Sequence, residues 1–225
     1  MFGVTGFGAS PITVPVLAHF LPLPFVLSLA AALDLGSAAL LGVHTMKQAD
    51  VRELLVLAPF TIIGLALGVT LLVRLPRDAT LLALGVFVCA YALYIVLRRG
   101  PRRPLGRAWA APAGLLSGVI GALFGVGGPP YVAYIAGRIP EATAQRATIS
   151  LMVALNVGLR VAAFAIAGLY ANRDLWLAIG LLLPIAWAGV WIGNRIHARV
   201  APATVVRVVG AALFFSGASL IARVL

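Results

Sequence analysis

Residues 121–130 read Gly121-Ala122-Leu123-Phe124-Gly125-Val126-Gly127-Gly128-Pro129-Pro130 and lie in the middle of a long apolar run. Five of the last six are glycine or proline, the two poorest helix formers. The rest of the chain is unusually hydrophobic: of 225 residues, 62% are apolar and 10% charged. A soluble domain is roughly half apolar and about a quarter charged. A larger core does not account for the excess, because a domain of this size still needs a polar surface. A surface that faces lipid does. Apolar stretches occupy 54–73, 79–97, 109–125, 147–168, 175–194 and 203–222. Each is long enough to cross a hydrocarbon layer of about 30 Å. The expected fold class is an all-α polytopic membrane protein; a β-barrel would show short alternating segments.

The same composition excludes several kinds of function. A net charge of +11 would suggest nucleic acid in a soluble protein, but here the basic residues sit in the connections between apolar runs. The largest cluster is Arg98, Arg99, Arg102, Arg103 and Arg107. That pattern is a topology signal, and no nucleic-acid partner is expected. The one cysteine, Cys89, lies inside an apolar run, and the three histidines lack a ligand spacing, so no metal or cofactor is expected. No Ser–His, paired-Asp or His-Glu-x-x-His arrangement falls within the spans, so the chain does not read as an enzyme. The N-terminus has no basic region of a cleavable signal peptide.

The linker at 98–108 divides the chain into a first repeat, 1–97, and a second, 109–225. At an offset of 125, Pro59, Gly64, Gly68, Arg74 and Gly85 fall on Pro184, Gly189, Gly193, Arg199 and Gly210. At 122, Asp34 falls on Asn156 and Gly36 on Gly158. At 119, Gly6-Phe7-Gly8-Ala9-Ser10-Pro11 falls on Gly125-Val126-Gly127-Gly128-Pro129-Pro130. The offset grows by three where connections lie, as small loop insertions require. Two copies of one bundle are the common plan of secondary transporters, often with inverted topology. Each copy then holds one glycine/proline-broken element and about three transmembrane helices.

Inversion depends on whether the broken element crosses the membrane or turns back. With 98–107 placed in the cytoplasm, a straight crossing leaves nine basic residues inside and seven outside. A re-entrant hairpin gives twelve inside and four outside. The positive-inside rule prefers the hairpin, which makes the repeats inverted. Residues 109–119 have no counterpart, because their equivalents would precede Met1. Either a segment lies upstream of Met1, or the first half-helix is absent.

A helix broken within a bilayer must have its backbone groups satisfied by protein or by a wet cavity. Glycine permits the tight turn, and proline suits the first turn of the helix that follows. A new helix start presents free N–H groups and a positive dipole end. Two such starts meeting near the midplane would suit a small anion. The candidates for binding are Gly6, Gly8, Ser10 and Thr13 in the first repeat. In the second they are Gly125, Gly127, Gly128 and Pro129. Close packing of small residues is the competing explanation, and it is the favoured one for Gly64, Gly68, Gly189 and Gly193. Asn156 and Arg160, four apart on one helical face, are polar residues within a span, as is Asp34. Arg160 could hold an anionic head group and Asp34 could carry a coupling proton. Alternatively, Asp34 and Arg160 form an ion pair that only ties helices together. His44 reads as interfacial, and Trp109, Trp176, Trp187 and Trp191 as an aromatic belt.

"GFGASP" at 6–11 and "GVGGPP" at 125–130, each opening an apolar half, with a basic linker between the halves, resemble the sulfite exporter TauE/SafE family, also called the toluene-sulfonate uptake permease family. The first motif departs from the pattern, with Ala9-Ser10 where the family commonly has further glycines. The resemblance implies a multi-pass transporter in the bacterial inner membrane for sulfite, thiosulfate or organosulfonates. The expected function is alternating-access transport of a small sulfur-containing anion. The alternatives are an anion channel or a non-transporting scaffold subunit. The expected partners are the anion, the lipid bilayer and, as an option, a second copy of the chain.

Overall fold

The computed structural model describes residues 10–41, 48–97, 104–197 and 202–224. Gly6, Gly8, His44 and the arginines at 98, 99, 102 and 103 lie outside the described residues. Among those described there are nine helices and no strand. They are α1 Ser10–Leu17, α2 Leu23–Leu41, α3 Val51–Arg74, α4 Arg77–Leu97, α5 Ala110–Phe124, α6 Gly128–Arg138, α7 Ala142–Ile166, α8 Arg173–His197 and α9 Pro202–Val224. A 3-10 turn, Arg107–Trp109, leads into α5. Five stretches are long and apolar enough to span a membrane, in α3, α4, α5, α7 and α8. The chain is an all-α polytopic membrane protein.

Polar side chains mark the helix starts. The Asp50 carboxylate accepts from the N–H of Arg52 (3.0 Å) and of Glu53 (3.3 Å), capping α3. The Asp50 N–H itself donates to Thr148 Oγ1 of α7 at 2.8 Å, which fixes where α3 enters the bundle. Glu141 caps α7 in the same manner through the Ala144 N–H.

The break between α5 and α6 is a hairpin. Gly125 has φ +74°, a left-handed conformation that suits glycine, and its N–H closes α5 on the Gly121 carbonyl at 3.1 Å. Three residues later α6 begins, with Pro129 and Pro130 in its first turn. The far ends of the two limbs meet: the Leu105 N–H donates to the Gly137 carbonyl at 2.9 Å. Arg107 and Arg138 both reach Glu53 Oε1, at 3.4 and 3.0 Å. A continuous helix would hold residues 107 and 138 about 45 Å apart. Residues 121–128 are all buried, so the turn lies deep in the bundle.

Small residues set the closest helix approaches. α3 and α5 pack through Gly64, Gly68, Gly114 and Gly118: a Cβ at Gly114 would stand 2.7 Å from Phe60 Cβ, and one at Gly68 2.7 Å from Ala122 Cβ. α4 packs on α9 around Gly85 and Gly217. α2 runs between α7 and α8, while α7 also packs on α3. The expectation of close packing holds for Gly64 and Gly68. Among the described residues, nothing lies within 4 Å of a Cβ built at Gly189.

Candidate functional site

Buried polar side chains from three helices converge on the hairpin turn. Arg160 of α7 is 1% exposed, Asp34 of α2 5%, Asn156 of α7 4% and Ser10 of α1 1%. Charged groups at this depth persist only when paired, and Arg160 Nη2 lies 3.1 Å from Asp34 Oδ2. The same carboxylate oxygen accepts the Ser10 hydroxyl proton. Arg160 Nη1 reaches the Gly121 carbonyl at 3.4 Å. That places a cation at the carbonyl end of α5, where the helix dipole favours it. Two polar atoms here have no hydrogen-bond partner among the described residues: Arg160 Nε and Asn156 Nδ2. Buried donors of this kind are rare, and each calls for a ligand or a water.

The turn itself is held from behind. The Ser117 hydroxyl donates to the Gly127 carbonyl. A Cβ at Gly127 would stand 2.7 Å from the Ser117 carbonyl oxygen and 3.1 Å from Asn156 Oδ1, so no larger residue fits without displacing backbone. Pro129 and Pro130 carry no N–H, and the Gly125 N–H is committed to Gly121. The donors that the turn can offer are therefore those of Val126, Gly127 and Gly128. The amino end of α6 and the carbonyl end of α5 face each other here, one pole open and the other bound to Arg160.

The expected residues divide into two groups. Ser10, Asp34, Asn156, Arg160, Gly125, Gly127 and Gly128 come together; a Cβ at Gly125 would stand 3.4 Å from Ser10 Cβ, so α1 starts against the turn. Pro129 is half-buried in the first turn of α6. Thr13 lines a groove between α1, α2 and α8 together with Ser10 and Asp34. The Asp34–Arg160 ion pair is present. Gly6 and Gly8 lie outside the described residues. Sequence reading missed Ser117, a lone hydroxyl in an apolar helix. It also missed Glu53, buried beneath Tyr134 (2.5 Å), Arg138 and Arg107. An acidic residue in a helix's first turn is so common that it carried no signal.

The Trp109, Trp176, Trp187 and Trp191 side chains are all exposed, as a lipid-facing belt requires. Trp187 and Trp176 satisfy their indole N–H on the Gly36 and Tyr170 carbonyls, at 3.1 and 2.9 Å.

Comparison with known proteins agrees with this architecture. The family model described as sulfite exporter TauE/SafE matches residues 1–220. A curated protein, "Probable inner membrane transporter protein TsaS" of Comamonas testosteroni, is 27% identical over 194 residues, 85% of this chain and 81% of that one. No solved structure matches the chain. The family is one of transporters, so the chain is a membrane transporter and not an enzyme. It belongs to the sulfite exporter TauE/SafE family.

Proposed function

We propose that this multi-pass inner-membrane protein moves small sulfur-containing anions by alternating access, binding them where Arg160 and Asn156 meet the Gly125–Gly128 turn. The observation that carries the reading is the pair of unpartnered buried donors, Arg160 Nε and Asn156 Nδ2, beside an open helix start. A guanidinium and backbone N–H groups suit the oxyanions of sulfite or a sulfonate. The family description and the relative's name support a transporter of this kind.

Charge balance adds a coupling ion. Asp34 and Arg160 together are neutral while Asp34 is ionised. A proton on Asp34 leaves one positive charge facing the turn. Anion binding and protonation of Asp34 therefore favour each other, by the reciprocity that governs any two linked ligands. A proton accompanies the anion. The two halves, 1–97 and 109–225, act as inverted repeats on either side of the basic linker 98–108. The exchange of neighbours supports this: α2 packs on α8 as α7 packs on α3.

The test is flux into proteoliposomes with a panel of sulfite, thiosulfate, taurine, sulfoacetate and sulfate. At least one sulfur anion is expected to move, faster with an inward proton gradient. Asn156→Leu, which removes one of the two unpartnered donors and adds no bulk to the turn, is expected to abolish that flux while the protein still inserts and folds. Unchanged flux in this variant would overturn the site.

A further inference from the structure

The hydroxyls of Ser28, Thr61, Thr70, Thr80 and Thr148 each donate to the carbonyl four residues earlier, at 2.7–3.0 Å. That is the ordinary resort of a hydroxyl in an apolar helix. Ser117 departs from it. Fully buried in α5, it donates forward across the hairpin to the Gly127 carbonyl. That carbonyl is not short of a partner. Gly127 is the N-cap of α6, and an N-cap carbonyl accepts the first hydrogen bond of its helix. The bond from Ser117 therefore rescues no buried orphan, and what it adds is direction. Gly127 has no side chain of its own to hold its φ of −72° and ψ of −7°. The peptide that follows is trans, so its C=O and N–H point to opposite sides. With the carbonyl held by Ser117, the Gly128 N–H is turned away from that side.

The aim of this N–H matters more than at the other helix starts. α3 and α7 give first-turn N–H groups to the Asp50 and Glu141 side chains. α6 has no side-chain cap, and Pro129 and Pro130, which follow Gly128, have no N–H. Gly128 thus carries the one N–H that residues 128–130 can give to an anion, at the positive end of the helix dipole. Asn156 flanks the same turn, with Oδ1 3.1 Å from a Cβ built at Gly127, and its Nδ2 has no partner among the described residues. We infer that Ser117 is a positioning residue for anion binding: by holding the Gly127 carbonyl it aims the Gly128 N–H at the anion. This rests on the reading that the anion sits against the Gly125–Gly128 turn. Ser117 itself touches no substrate. It keeps one donor oriented before the anion arrives, so that binding requires no rotation of the peptide.

The experiment compares Ser117→Ala and Ser117→Cys with the parent in proteoliposomes, with radiolabelled sulfite and taurine as probes. Alanine removes the donor and leaves a small space. Cysteine fills the space and offers only a weak donor. Ser117→Ala is expected to raise KM about tenfold, the order of one misdirected hydrogen bond to a charged group. Ser117→Cys is expected to raise it less. Vmax is expected to stay unchanged in both, the pattern of lost binding. Ser117→Cys is also expected to keep the parent's Tm, since a buried thiol packs as a small apolar group. The parent's KM in Ser117→Cys would overturn the inference, because filling space would then be all that Ser117 does. So would a Ser117→Ala variant that moves both probes as the parent does. Asn156→Leu tells the two failures apart. Where it has lost flux and Ser117→Ala has not, the positioning role alone falls; where it keeps flux, the binding site falls and the role with it.

Discussion

Two buried carboxylates in this bundle meet arginines, and their surroundings differ in one decisive respect. Glu53 has every partner it can use. Tyr134 donates to one of its oxygens, and Arg138 and Arg107 converge on the other. Glu53, Arg107 and Arg138 sit where α3, α5 and α6 begin or end, with Tyr134 one turn in from the end of α6, so the cluster staples the ends of the hairpin together. Asp34 is as buried, but its arginine is only partly satisfied: among the described residues, Arg160 Nε has no partner, and neither has Asn156 Nδ2. A saturated cluster fixes geometry. An unsaturated one, placed against a helix start, is poised to take a ligand. The same pair of residue types thus serves as a clamp at one depth and as a candidate binding site at another.

The sharpest way to break this comparison is to remove each arginine-facing charge and read both flux and stability. Arg160→Met is expected to abolish anion flux in protein that still inserts, because no other described cation faces the turn. Asp34→Asn is expected to bind the anion more tightly in a thermal-shift titration and to lose the dependence of flux on the proton gradient. The sign follows from charge: the variant is fixed in the state that protonated Asp34 reaches only at low pH. Proton-gradient dependence that survives in Asp34→Asn would remove Asp34 as the coupling group.

Glu53→Ala gives the opposite profile. It orphans the Tyr134 hydroxyl and two guanidinium groups, and a loss of about 2–4 kcal/mol is expected, reduced from the fully buried case because both arginines are partly exposed. Urea or thermal unfolding in detergent would measure it. The folded fraction is expected to keep its substrate KM. A raised KM with unchanged stability would make Glu53 part of the binding site and erase the distinction.

Much of this was legible in the sequence, for identifiable reasons. The Gly125–Gly127 turn was legible because glycine and proline cannot be ordinary helix residues. Its direction was legible because arginines must sit on one side, and Arg138 does return to the end that holds Arg107. The meeting of Asp34 with Arg160 was open in the sequence, where ion pair and binding site read alike; the distance is settled by packing of α2 on α7. Ser117 was illegible because a hydroxyl in an apolar helix is usually bonded to its own backbone. Gly189, expected to pack closely, meets nothing within 4 Å among the described residues. A four-residue glycine spacing records that a helix can approach, and says nothing of whether one is there.

That last point yields the prediction with the smallest effect. Gly64→Ala puts a methyl group into the Leu115 backbone, and the two helices must separate to admit it. Overpacking of this kind costs about 1–3 kcal/mol. Gly189→Ala, at the aligned position in α8, meets nothing within 4 Å among the described residues. It is expected to be neutral or slightly stabilising, since alanine is the better helix former by about 1 kcal/mol. The two substitutions are chemically identical and sit at positions that the sequence offset of 125 aligns. The difference between their unfolding midpoints therefore isolates the contribution of a neighbouring helix. Equal destabilisation by both would mean that Gly189 also packs against a helix in the purified protein.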